Sequence, residues 1–173
     1  MSYAITIGTT SWRRVSGPGD IHPGEVYAAS IYKREDGVWD DVAQSIVAPT
    51  EQQKLDARRA AVIEQINTER NRREQTSFPY LGKQIDSDPV SVQRITVATN
   101  TAQMALAAGV PYSVDWACAD NSILTLDALG VLGMMQSLGS YGLALHMYSR
   151  GLKAAVLAST DPESIDILMG WPE

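Results

Sequence analysis

The chain has 173 residues, a formal net charge of −6 and an isoelectric point near 4.9. This length accommodates one ordinary domain, or a small domain with an appendage. The apolar fraction of 45% and the charged fraction of 20% are those of a globular protein. A general nucleic-acid binder carries a basic field, so the acidic balance of this chain argues against a nucleic-acid partner.

The cysteine and histidine content restricts the chemistry that the chain can carry. Cys118 is the only cysteine, which excludes an intrachain disulfide and the cysteine-based zinc patterns. The two histidines, His22 and His146, are too few donors for a metal site of recognisable spacing. The first residues lack the basic flank and the long apolar run of a secretory signal. We therefore predict no metal, no cofactor and no export.

Residues 1–48 are predicted to form a small β-rich module. Tyr3, Ile5 and Ile7 alternate with small or polar residues, which is the period of a half-buried strand. Residues 25–32 can form a second strand after the turn that Ser16-Gly17-Pro18-Gly19-Asp20 indicates. Two or three short strands make only a marginal core. We expect this module to pack on the rest of the chain, on a copy of itself or on a partner.

Residues 50–173 are predicted to form a mainly helical domain that begins with a long helix. Thr50 followed by Gln53 is a capping box, in which the hydroxyl accepts from an early helical N–H and the glutamine reaches back. The helix then covers residues 51–75, about 37 Å at 1.5 Å per residue. Residues 78–86 break it and supply a short extended segment.

A second helix and a β-hairpin follow. Asp88 is placed as the helix N-cap, Pro89 at the first helical position, and Gly109 as the C-terminal stop. Alternating apolar and polar residues predict a hairpin over residues 112–126, with its turn at Asp120-Asn121. The predicted fold class is therefore α+β, with a β-rich N-terminal module and a helical domain that carries a hairpin.

The last part of the chain predicts two more helices and a short final turn. The first helix, capped by Asp127 or Thr125, should end near Leu138. The second should cover residues 141–159, because the glycines between them indicate a break. Thr160-Asp161-Pro162-Glu163 is a second capping box, which opens the final turn.

Residues 128–149 carry no formal charge, and such a stretch is long enough to span a bilayer. Its four glycines, with Gln136, Ser137 and Ser140, favour burial against protein instead, so we predict no membrane insertion. His146 lies in the same stretch between Leu145 and Met147, where we expect an interior or interface position.

No combination of residues predicts an active site, and we predict that the protein is not an enzyme. The glycine patterns of phosphate-binding loops and the Gly-x-Ser-x-Gly elbow are absent from the sequence. Cys118 alternates with Trp116 along a predicted strand, which indicates a buried thiol. Asp86, Asp88, Asp115 and Asp120 cluster around the predicted hairpin. Asp88 already serves as a helix cap, and the other three leave one enzymatic alternative open, a carboxylate pair for glycoside hydrolysis.

Basic residues and polar-tipped aromatic residues are the candidates for contact with a partner. Eight basic residues lie between residues 54 and 94, whereas only two follow residue 95. They form either a solvated helix face or a patch that docks on an acidic partner surface. Tryptophan and tyrosine are favoured at interfaces. The candidate contact residues are Trp12, Arg13, Tyr27, Arg58, Arg59, Arg70 and Arg73.

An ordered series of short motifs runs from about residue 54 to residue 172. Its members are Arg58-Arg59, residues 66–70, 78–88 and 91–95, Trp116, Asp120-Asn121, residues 125–127, Leu152-Lys153, Thr160, Ile165 and Gly170-Trp171-Pro172. In this series the chain resembles a domain-of-unknown-function family that recurs in tail proteins of tailed bacteriophages and prophages. Trp12-Arg13 followed by Pro23-Gly24-Glu25 is similar to a short N-terminal module of tail-fibre-associated phage proteins.

The resemblance implies a structural component of a phage or phage-like tail, at the baseplate or the tail-fibre attachment region. The expected partners are other tail, baseplate or fibre proteins, with the chain present as a homo-oligomer or in multiple copies. The implied location is the virion tail, after synthesis in the host cytoplasm. Two alternatives stay open: a tail-fibre assembly factor that is absent from the mature virion, and a hydrolase of surface glycan. The family implies no catalytic residues.

Overall fold

The structure is a computed structural model that describes residues 2–6, 11–28, 38–40 and 45–173. It divides into two units, Met1–Ala57 and Arg58–Glu173, and the boundary between them lies within the first helix. The predicted α+β class is confirmed by three helices that alternate with small antiparallel sheets. The predicted domain boundary after residue 48 differs from this division and stays a prediction.

The first unit is built from short antiparallel strands. They are, in chain order, β1 (Ser2–Thr6), β2 (Trp12–Val15), β3 (Glu25–Ala28), β4 (Val38–Asp40) and β5 (Ser45–Val47). One sheet has the order β2-β1-β3, and β4 pairs with β5. The predicted strands at residues 3–7 and 25–32 correspond to β1 and β3. Residue 7 and residues 29–32 lie outside the described residues. The sequence did not predict β2, β4 or β5.

The second unit alternates helices with β-hairpins. Its helices are α1 (Glu51–Glu74, which starts in the first unit), α2 (Pro89–Ala108) and α3 (Ala128–Ala158). The hairpin between α1 and α2 is β6 (Ser77–Tyr80) with β7 (Lys83–Asp86), and the hairpin between α2 and α3 is β8 (Ser113–Ala117) with β9 (Ile123–Asp127). A 3-10 turn at Pro162–Ser164 follows α3. The second hairpin was predicted, whereas the first was expected only as an extended segment.

Helix ends that depend on neighbouring residues lie where the sequence predicts them. Gln53 N–H donates to Thr50 Oγ1 at 3.2 Å while Thr50 N–H donates to Gln53 Oε1 at 2.8 Å, which is the predicted capping box of α1. Asp88 caps α2 through two backbone N–H groups, and Gly109 ends it with a φ of 65°. Asp127 is the cap of α3, since its carboxylate accepts from a backbone N–H of the first turn at 2.7 Å.

The predicted helix break at residues 138–142 is wrong, because α3 continues for 31 residues, about 46 Å. Each glycine costs a helix about 1 kcal/mol relative to alanine, but tertiary packing of both halves overrides that preference. One glycine has a packing reason. A Cβ at Gly133 would lie 2.7 Å from Tyr80 Oη, and that hydroxyl donates to Gly130 O at 2.6 Å.

Two apolar cores hold the second unit together, and α3 contributes to both. The first core combines both hairpins, α2 and the N-terminal half of α3; its buried side chains include Phe78, Ile85, Ile95, Ala102, Cys118, Leu126, Val131 and Met134. The second core combines α1, the C-terminal half of α3 and the segment after α3, residues 159–173, which we call the C-terminal tail. Its buried side chains are Val62, Ile66, Leu145, Val156 and Trp171. The predicted burial of Cys118 is confirmed.

The second predicted capping box is wrong. A short turn does occupy Pro162–Ser164, but no side chain caps it. Asp161 N–H donates to Ser159 Oγ at 2.9 Å, and the Glu163 carboxylate accepts from Arg58 at 2.9 Å. The Glu163 carboxylate, which the capping box would use as its acceptor, is thus engaged instead by a charged hydrogen bond from an arginine of α1.

The turn between β6 and β7 has two central residues with positive φ, 47° at Leu81 and 74° at Gly82. This is the backbone of a type I′ turn, whose twist matches that of the flanking strands. Glycine adopts it freely, but a leucine pays a steric penalty in the left-handed region.

Replacing Leu81 with asparagine is expected to stabilise the second unit by about 1 kcal/mol, since asparagine tolerates the left-handed region and the leucine is 66% exposed. Urea denaturation would show a higher midpoint at an unchanged m-value. Leu168→Asn is the matched control, because Leu168 is equally exposed but has a negative φ. Equal effects of the two substitutions would contradict the explanation from φ.

Candidate functional site

Arg13, a predicted contact residue, is bound within its own module. Its Nε and Nη2 donate to the two carboxylate oxygens of Glu25 at 2.9 and 2.8 Å, and Nη2 also donates to the carbonyl of Asp20. The hydrogen bonds from this guanidinium, with a further one from the backbone of His22, lower the pKa of Glu25 to about 2. The pair ties β2 to β3 as a two-point Arg–carboxylate contact.

The two aromatic contact candidates of the first unit lie on either side of β1. Trp12 is 43% exposed, and its ring meets that of Tyr3 edge to face with centroids 5.3 Å apart. Tyr27 Oη lies 2.9 Å from Ser2 Oγ. Trp12 is thus only half-buried on this sheet, while contact of these residues with another protein stays a prediction.

Two of the α1 arginines bind the segment that follows α3. Arg58 donates to the Glu163 carboxylate at 2.9 Å and to the Thr160 carbonyl at 3.3 Å. Arg59 donates to the Ser159 carbonyl at 2.8 Å. The carbonyls at the C-terminal end of a helix lack intrahelical partners and carry partial negative charge, so arginines are favourable there.

The last turn of α1 holds the C-terminal tail in a similar way. Arg73 donates to the Leu168 carbonyl at 3.2 Å, and its guanidinium carbon lies 5.4 Å from the ring centroid of Trp171. Arg70 instead donates to its neighbour Asn71 at 2.7 Å. Three of the four predicted arginines of α1 therefore fasten the tail to this helix, a role that the sequence did not predict. Their contact with a partner protein stays a prediction.

Glu69 is the carboxylate that organises these arginines. It accepts from Arg72 at 2.7 and 2.8 Å and from Arg73 at 2.6 Å. The hydrogen bond from Arg72, followed by that from Arg73, lowers the pKa of Glu69 from its ordinary 4.5 to about 2. Arg73 is thereby positioned between α1 and the tail.

The Glu69→Gln variant is expected to lose less stability in acid than the parent protein. The native pKa of Glu69 is lower than its unfolded value, so the stability from its charge is present above pH 4.5 and is lost as the pH falls towards 2. Denaturant unfolding at pH values from 2.5 to 6 would show the two free-energy curves converge below pH 4.5. Glu51→Gln is the control, because that carboxylate is 90% exposed. Parallel curves for parent and Glu69→Gln would contradict the assignment.

His146 is not buried in the interior, which is one of the two positions that the sequence predicts for it. Its side chain is 55% exposed, and Nε2 lies 2.9 Å from Glu74 Oε1 at the end of α1. The interior position is therefore wrong, while the other predicted position, an interface with a partner, stays a prediction.

A groove lies between the two hairpins and the first turns of α2. Its lining includes Asp86 of β7, Arg94 of α2 and residues 114–118 along β8, and its volume is about 500 Å³. The structure therefore brings together Asp86 and Asp115, two of the three aspartates that leave glycoside hydrolysis open. Thr125 Oγ1 donates to Asp115 at 2.6 Å.

Asp120, the third aspartate, has a structural role in the hairpin turn. It accepts from Ser122 N–H at 2.9 Å and lies 3.4 Å from Lys83 Nζ. The hydrogen bonds from the hydroxyl and the backbone of Ser122 lower its pKa to about 2, so it stays an anion near neutral pH. Within the part of the chain that the structure describes, no three side chains of histidine, cysteine, aspartate or glutamate are grouped to hold a metal ion.

The outward face of α3 is apolar along most of its length. Leu129, Leu143, Met147 and Leu157 lie on this face and are each more than half exposed, and Gln136 lies between the first two. A surface helix normally carries charged residues opposite its buried face, whereas the one charged residue on this side of α3 is Arg150, which lies between Met147 and Leu157. We call these five residues the α3 face.

By length and composition, α3 would also suffice to cross a bilayer, with a mean hydropathy of 1.3 over its most apolar window. The core helix of a soluble protein can satisfy the same criterion. Only 22% of that window is fully buried within the chain, and the exposed remainder includes residues of the α3 face.

A family model described as a domain of unknown function (DUF4376) matches residues 57–168, which is more than half of the chain. No curated protein and no solved structure matches the chain. The matched range contains both hairpins, α2 and α3, so the groove and the α3 face both lie within the family domain.

Proposed function

The chain belongs to the domain-of-unknown-function family DUF4376, and we propose that it is a structural component of a bacteriophage or phage-like tail. Its place is the baseplate or the tail-fibre attachment region, and it acts by protein–protein assembly. The partners are other tail, baseplate or fibre proteins and further copies of the chain. The ordered motif series between residues 54 and 172 supports the tail assignment.

The α3 face is the observation that carries a role in assembly. Four large apolar side chains that are exposed on one side of a helix of about 46 Å form the kind of surface that marks a protein contact. Gln136 and Ser140, which is also exposed on this side, favour a protein partner over lipid because a polar side chain in hydrocarbon finds no hydrogen-bond partner. In the proposed tail, neighbouring chains cover this face.

Mass spectrometry of purified tail particles from the encoding phage, or from an induced prophage, tests the proposal. We expect the chain in mature particles, in a fixed ratio to a known tail protein. An assembly factor, the second candidate, would instead accumulate in the lysate with the fibre protein and be absent from particles. Absence from both the particles and the fibre fraction would contradict both candidates.

The groove supports a third candidate, a hydrolase of surface glycan, because Asp86 and Asp115 both line it. Glycoside hydrolases use two such carboxylates, one as an acid and one as a base or nucleophile. Turnover of host surface polysaccharide by the purified chain, lost in both Asp86→Asn and Asp115→Asn, would establish this activity. Under the proposed structural role, the parent protein shows no turnover.

A further inference from the structure

Strand β8 has one edge that pairs with nothing in its own hairpin. Cys118 N–H donates to Ser122 O at 2.8 Å, and this pair lies next to the last residue pair of the β8–β9 register, Ala117 with Ile123. In an antiparallel pair the bonded positions alternate, so every second residue back from Cys118 bonds to β9. Asp115 and Ala117 are the residues between, and they direct their N–H and C=O groups away from β9.

The facing edge of β7 follows the same alternation. Ser87 N–H donates to Thr76 O at 3.4 Å, which continues the β6–β7 register and leaves Gln84 and Asp86 with their backbone groups directed away from β6. One of these groups is used, since the Gln84 carbonyl accepts from Ala119 N–H at 2.9 Å. That hydrogen bond joins the two hairpins at one end of the groove.

The groove therefore has backbone donors and acceptors along its β8 side. Its volume of about 500 Å³ lies within the range of binding cavities. A sheet edge of this kind is a template for another strand, and edges are commonly protected by pairing, charge or cover. In a peptide complex the backbone bonds supply affinity and the side chains that line the groove supply specificity.

Charge decides which peptide suits this groove. Asp86 and Asp115 both line it, and within the described residues neither forms an ion pair. Arg94 is the single cation of the lining, so the groove has an acidic excess. A bound strand that carries basic side chains would complement it.

We propose that an extended, basic segment of a partner protein binds in this groove by adding a strand to the free edge of β8. This deepens the proposed function by naming how a partner is held, and it rests on that function only in taking the partner to be a protein. The bound segment accepts from and donates to the backbone of Asp115 and Ala117. Its basic side chains lie near Asp86 and Asp115.

Synthetic peptides test the proposal by fluorescence anisotropy with the full chain. The probe is a fluorescein-labelled heptapeptide of alternating valine and lysine. One control replaces each lysine with glutamate, and a second keeps the lysines but methylates every second backbone nitrogen, which removes strand hydrogen bonds without changing charge. We expect the probe to bind at least tenfold more tightly than either control. Equal binding of the three peptides, or no binding of the probe, would overturn the proposal.

A proline on each side of the hairpin provides the matched variants. Ala117→Pro removes an N–H that points into the groove, and proline is tolerated on a free strand edge. Ile123→Pro makes the same change at the β9 residue that pairs with Ala117. The N–H that is lost there points to the opposite side of the hairpin. We expect at least a tenfold loss of probe binding in the first variant and none in the second.

Amide hydrogen exchange of the parent protein keeps the test decisive if a proline variant does not fold. The amides of Asp115 and Ala117 are expected to exchange quickly alone and to be protected by the probe peptide. No protection would overturn the proposal, and so would protection that depends on protein concentration without peptide, since that indicates self-pairing. If the chain binds the peptide but is absent from tail particles, the proposed tail function is contradicted and the proposed strand addition to β8 still stands.

Discussion

The Leu143→Arg variant is expected to fold normally and to be excluded from tail particles. Leu143 lies in the middle of the α3 face and is 64% exposed, and arginine and leucine have similar helix propensities, so the stability of the isolated chain should change by less than about 0.5 kcal/mol. In an assembled contact, the same arginine would be buried without a partner. Such a charge costs about 3–5 kcal/mol, which is an affinity loss of roughly 10² to 10⁴.

Complementation of a phage that lacks the gene measures this effect. The ratio of variant to a reference tail protein in purified particles is compared with that of the parent, and circular dichroism with denaturant unfolding checks the fold. Gln103→Arg is the matched control, since it places the same charge at an exposed position of α2. Normal incorporation of Leu143→Arg would move the contact away from the α3 face. Flotation of the parent protein with lipid vesicles would indicate a membrane partner instead.

Trp171→Ala is expected to cost about 3–5 kcal/mol of unfolding free energy, the usual range for a buried aromatic residue replaced by alanine. The indole is 5% exposed, donates from Nε1 to Ile167 O at 2.8 Å, and lies 5.0 Å from the ring of Tyr148. It closes the second core over α1 and α3, so its removal should release the tail and expose Arg73 and Val62.

Denaturant unfolding quantifies this loss, and hydrogen exchange locates it. The amides of the C-terminal tail and of the last turns of α1 should lose protection, while both hairpins keep theirs. Leu168→Ala is the control, because that leucine lies in the same tail but is mostly exposed. If the two alanine variants have similar stabilities, the tail is not part of the core.

Structure that depends on residues within one helical turn was predictable from the sequence. Thr50 and Gln53 are the two partners of a capping box. Asp88 and Gly109 cap the two ends of α2 through hydrogen bonds with residues a few positions away. Such contacts are favoured because the two partners are always close along the chain, unless a distant residue binds one of them, as Arg58 binds Glu163. The β8–β9 hairpin is predictable for the same reason, since its turn lies between two alternating runs.

The continuity of α3 was not predictable in this way. Its glycines disfavour a helix locally, but the Tyr80 hydroxyl requires a close approach at Gly133, and the apolar side chains of both halves are buried in two separate cores. The free energy of that burial, about 25 cal/mol per Å² of apolar surface, exceeds the helix-propensity penalty. How much apolar surface of α3 is buried depends on where the hairpins, α1 and α2 lie, and local sequence does not give those positions.

The amino-acid sequence by itself determined the α+β class, the local helix caps, the burial of Cys118 and the lack of charge that makes the α3 face apolar. The tertiary structure alone decided what the arginines of α1 contact, since Arg58 and Glu163 are 105 positions apart. It also decided that Asp86 and Asp115 share one groove beside a free strand edge. Contacts between distant residues depend on which elements pack together, and that is decided by burial summed over the whole unit rather than by any local pattern.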